Sequence, residues 1–115
     1  MTASGDAART AVGDAGPAAV GDAVSVTGLA RAAGVAGAPV PGRPWVAARL
    51  ERATTWSLER SRWLLAVDAA VIVDLPHGDV RVLQRGDALE LPAGLAVALQ
   101  PVKEAATLLW HDDPA

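Results

Sequence analysis

The chemistry open to this chain is limited by its few reactive side chains. It contains no cysteine and two histidines, His77 and His111. Thiolate nucleophiles, disulfides and sulfur-ligated metals are therefore excluded. Ser57 and Ser61 have no histidine at a recognisable triad spacing, which leaves no activated hydroxyl. Gly34, Gly37 and Gly42 neither follow a strand pattern nor lead into Lys-Ser/Thr, so they form no phosphate-cradling loop. Arg49, Arg52, Arg60 and Arg62 crowd one stretch as an anion-binding face would require, but Glu51 and Glu59 interleave with them. That alternation reads as a charge-balanced, solvated edge. His77 falls in a turn, and His111 sits beside Asp112 and Asp113 at the end of an apolar run. Both read as solvated imidazoles, the second with carboxylates able to attract a cation weakly.

The elements that must position these groups belong to a chain of 115 residues, 51% of them hydrophobic, with 10 basic against 13 acidic side chains and a net charge of −3. One domain with one small core is the expectation. An acidic balance offers no basic face for counterion release, so no nucleic acid partner is expected. Asp6, Arg9, Asp14 and Asp22 interrupt the first thirty residues, which denies them the apolar core of a secretory signal. No run is long and apolar enough to span a bilayer. The reading is a soluble, cytoplasmic protein with no membrane partner.

The chain divides near residue 43. Before it, Gly-Asp-Ala recurs three times at intervals of eight residues, at Gly5, Gly13 and Gly21. A calcium-binding β-roll needs a nonapeptide with more ligands per turn. Small side chains instead predict a mobile tail over residues 1–24. A short helix is expected over 27–36, with Thr27 as N-cap and Gly37 past its C-terminus. This stretch has the look of the first helix of a helix-turn-helix, but Pro39, Pro41 and Pro44 stand where the recognition helix would start.

After residue 44, apolar and β-branched runs alternate with breakers at 45–51, 54–58, 63–67, 70–75, 80–84, 88–91, 95–100 and 106–110. Short strands at such spacing predict a barrel or sandwich. Val71, Val73 and Leu75 share one face; Leu95, Val97 and Leu99 share another. Pro76-His77-Gly78-Asp79 predicts a reversal joining 70–75 to 80–84 as an antiparallel hairpin.

The segment from Arg85 to Gly94 resembles the second motif of the cupin superfamily, G-x5-P-x-G-x2-H-x3-N, with Gly86, Pro92 and Gly94 at the required spacing. Trp63-Leu64-Leu65-Ala66-Val67-Asp68-Ala69 is similar to the end of the first motif, with Ala69 in place of its usual glycine. The resemblance covers roughly residues 45–111. It implies an all-β, antiparallel cupin-type barrel (a jelly roll) over 44–112, carrying a largely flexible extension over 1–43 with a short helix. The departures matter more. The first motif's two His and its Glu fall at Trp56, Leu58 and Arg62, and the second motif's His falls at Val97. None of these side chains offers a donor to a divalent metal. No metal, cofactor or catalytic residue is therefore expected.

Two readings of the interior stay open. Its side chains fill it, giving a structural or interaction module, or a cavity lined by Trp56, Leu58, Arg62, Trp63, Val71, Val97 and Leu99 takes a small apolar or anionic ligand. If Arg62 points inward it needs a partner, with Glu90 or a bound anion the candidates. The alternatives are a cupin enzyme, metal-dependent or cofactor-free, of isomerase or dioxygenase type, and a regulator using residues 26–44. The resemblance also implies a homodimer, with residues 38–50 as the exchanged or packed segment.

Overall fold

The computed structural model describes residues 21 and 23–114, so the expected mobility of residues 1–24 falls almost entirely outside the described residues. Helix α1 spans Val26–Ala33. Nine strands follow: β1 (Ala38–Pro39), β2 (Val46–Leu50), β3 (Thr54–Ser57), β4 (Arg62–Ala66), β5 (Val71–Asp74), β6 (Val80–Leu83), β7 (Ala88–Leu91), β8 (Ala96–Pro101) and β9 (Ala106–Asp112). They form a five-stranded sheet in the order β1-β2-β9-β4-β7 and a four-stranded sheet in the order β3-β8-β5-β6. Every pairing is antiparallel.

Each of the eight strand-like runs in the sequence forms a strand, with ends shifted by a residue or two. The reason is the two-residue period. Leu64 and Ala66 of β4, Val71 and Val73 of β5, and Val97 and Leu99 of β8 point into one shared core between the sheets. Burying each such Leu or Val contributes about 1.5–3 kcal/mol. The β5–β6 hairpin is present, turned by a single 3-10 turn at Pro76–Gly78 with His77 exposed at φ 68°. Gly86 and Gly94 both adopt φ 90°, a conformation that side-chain-bearing residues avoid. Their backbone NH groups donate to the carbonyls of Ala66 and Leu58, which ties both motif turns to the strands they serve.

The helix differs from expectation. Ser25, not Thr27, caps it, its Oγ accepting from the Gly28 NH at 3.0 Å. Both hydroxyls can cap, and the helix takes the earlier one. It stops at Gly34, φ 68°, and a 3-10 turn over Gly34–Ala36 follows. Ala38–Pro39 then pairs with Val46 and Ala47. Where a helix-turn-helix requires a second helix there is a strand, which removes that motif. Ala30 of α1 and Ala47 of β2 are fully buried, so residues 25–39 dock on the sheet. They are the short helix and the first strand of the extension expected over 1–43. Among the described residues no helix is long and apolar enough to cross a membrane.

Candidate functional site

β9 and β4 build one mouth of the sandwich together. Their register sets Trp110 opposite Leu64 and Asp112 opposite Arg62. Because Leu64 and Leu108 are buried in the core, the alternation of both strands carries Arg62, Trp110 and Asp112 inward as well. β3 supplies Trp56 from the other sheet, opposite Val97 of β8.

The Arg62 guanidinium lies against both indoles, its central carbon 3.7 Å from the Trp110 ring centroid and 4.6 Å from that of Trp56. The indoles meet edge-on at 5.9 Å. Nε and Nη2 donate to Oδ1 and Oδ2 of Asp112 at 2.6 and 3.0 Å. This is a bidentate fork, the strongest geometry for an Arg–carboxylate pair. The Arg62 side chain is 15% exposed and that of Asp112 31%. The hydrogen bonds from Arg62 hold the Asp112 carboxyl below its ordinary range. Partial burial opposes them, while the charges of Arg62, Arg60 and His111 reinforce them.

The structure divides the residues expected to line a cavity. Leu58, Val71, Val97 and Leu99 are buried core members, and Trp56 packs against them. Trp63 is misassigned. With Arg62 and Leu64 turned inward, the pleat turns Trp63 outward, where it is 38% exposed and faces Glu90 and His111 across the strands. The same geometry removes Glu90 as a partner for Arg62, since Glu90 lies on the outer face. Asp112 takes that role, and Trp110 packs against the guanidinium. A last strand ending at 110 leaves Asp112 outside it. The run Ala106, Leu108, Trp110, Asp112 continues the inward period and was the available signal. His111 is not a freely solvated imidazole either. It is half-buried and packs edge-on to Trp45 at 4.4 Å.

A divalent metal does not fit this mouth. The side chains at the corresponding positions, Trp56, Leu58, Arg62 and Val97, present carbon or a permanent cation. The one carboxylate within reach is held by that cation. Among the described residues no group of three or more His, Asp or Glu converges. Three surface clefts, of about 620, 400 and 300 Å³, lie elsewhere, lined among others by Arg49, Lys103 and Arg85. Arg49 is already paired with Glu51 at 2.9 Å, consistent with a charge-balanced edge.

No protein-family model matches the chain, and no curated protein sequence does. Solved structures do. A cupin-2 domain protein from Shewanella frigidimarina aligns with 60% of this chain and 69% of its own, at 11% identity and TM-score 0.52. A DUF861 family protein from Thermotoga maritima aligns with 60% and 78%, at 17% identity and TM-score 0.54. The hydroxypropylphosphonic acid epoxidase of S. wedmorenis aligns with 60% of this chain but only 42% of its own length, at 10% identity and TM-score 0.55. These likenesses establish a cupin fold.

Proposed function

We propose that this cupin-fold chain is a non-catalytic, metal-free binding module whose barrel mouth is organised by a fixed organic cation, the Arg62 guanidinium. The observation that carries the reading is the Trp56–Arg62–Trp110 cluster locked to Asp112. It fills the mouth with a cation that takes up both oxygens of the Asp112 carboxylate. A planar cation flanked by two aromatic rings suits a small ligand with an apolar or anionic group. It supplies no general base, nucleophile or Lewis acid for turnover. A cytoplasmic location, no nucleic acid partner and self-association as a homodimer belong to the same reading. Sedimentation at micromolar concentration tests the last.

Metal analysis of protein purified without chelator tests the core of the proposal. The expected result is no stoichiometric Mn, Fe, Ni or Zn and a thermal transition unmoved by EDTA. One equivalent of any of these metals, lost together with stability on chelation, overturns it.

A further inference from the structure

We propose that the barrel mouth is a carboxylate site and that Asp112 is its built-in occupant, so that a carboxylate ligand binds by replacing Asp112 on Arg62. The inference rests on the binding-module reading and names its ligand class. Three observations support it. First, Trp110 and Trp56 lie against the guanidinium at 3.7 and 4.6 Å. With the indoles closing the sides toward Trp110 and Trp56, recognition falls to the remaining N–H groups, and a planar two-oxygen acceptor matches their fork. Second, the position is already filled by such an acceptor, both oxygens of Asp112 engaged. A ligand that takes its place needs only the volume of a carboxylate, so a filled interior does not prevent binding. Third, the exchange is local. Asp112 ends β9, and its pairing with Arg62 is the last step of the β9–β4 ladder. It is also the more exposed partner, 31% against 15%. Solvent therefore reaches the pair from the aspartate side, while the cation stays in place.

The indoles give the site a second preference. A carboxylate on an aromatic or other apolar body would place that body beside Trp56 and Trp110, both only half-buried. Benzoate is the simplest such probe, and acetate is its bare counterpart.

The test uses the full chain, titrated with sodium benzoate at fixed ionic strength and followed by tryptophan fluorescence. In wild type, benzoate competes with a tethered carboxylate. In Asp112→Ala the position is open. The expected result is half-saturation at least about tenfold lower in Asp112→Ala than in wild type. Benzyl alcohol should show no such gain, and Arg62→Met in the same background should abolish it. If Asp112→Ala does not fold unaided, benzoate but not benzyl alcohol should restore folding. Equal benzoate binding in wild type and Asp112→Ala, persistence of the gain after Arg62→Met, or failure to restore folding each overturns the inference. Inorganic phosphate binding as well as benzoate overturns the carboxylate class. Any of these results can occur in a metal-free binding module. A stoichiometric metal sinks the module reading whatever benzoate does, so the two failures are distinguishable.

Discussion

Arg62→Met, Asp112→Ala and the double variant, compared by urea unfolding, measure what the clamped guanidinium contributes. Met keeps an unbranched apolar chain against the indoles and removes the charge. The lost terms are two charge-assisted hydrogen bonds at 2.6 and 3.0 Å and cation–π contacts with two rings. With Asp112 31% exposed, solvent screening brings the ion pair to about 1–2 kcal/mol. The two ring contacts add about 1–2 kcal/mol together. Arg62→Met should therefore cost about 2–4 kcal/mol, and the cycle should show a coupling of about 1–2 kcal/mol. The coupling should depend on pH with a definite sign. Arg62 depresses the Asp112 pKa in the folded chain. The stabilisation is therefore fully present above the unfolded carboxyl value of about 3.9 and is lost as pH falls through the lower folded value. Tryptophan fluorescence at pH 7 and pH 3 provides the assay. A coupling within about 0.5 kcal/mol of zero at pH 7, the ordinary limit of additivity for independent sites, would refute the clamp as an energetic unit. So would a coupling that grows on acidification.

Two further outcomes follow from the frame around the site. Asp68 accepts hydrogen bonds from both the backbone NH and the hydroxyl of Thr107, at 2.7 and 2.8 Å, and Thr107 is 1% exposed. Asp68→Ala strands both donors and should cost about 2–3 kcal/mol, with Asp68→Asn costing less, as read from urea midpoints. Gly37 has φ 83°, and an added Cβ there would lie 2.6 Å from Cγ1 of Val46. Gly37→Ala should lose about 2 kcal/mol and speed amide exchange in α1 and β1, whose docking depends on that approach.

The sheets were legible in the sequence because a half-buried strand repeats every two residues. Val71–Val73 and Val97–Leu99 declare their faces without help, and Pro76–Gly78 declares the turn. The site was legible only in part. Arg62 was weighed as an inward cation, but its partner depends on register between β4 and β9, forty residues apart, and no local pattern encodes a register. Trp63 was misplaced because its apolarity suggested the interior, whereas counting from Leu64 turns it outward. Docking of α1 is not encoded locally, because an apolar helix face does not say which surface it covers. Its burial depends on the close approach of Ala30 to the sheet.

The five-stranded sheet places β9, the last strand in the described sequence, at its centre, between β2 and β4. As the polypeptide leaves the ribosome, residues 46–50 and 62–66 emerge long before the strand they both require. Until residue 112 is clear of the exit tunnel, neither neighbour has its central partner, and two apolar edges wait unpaired. Closure of this sheet thus waits on residues 106–112, the same strand that carries Asp112 to Arg62. Slow synthesis of residues 67–112 would lengthen the interval in which chaperones or aggregation compete for the nascent chain.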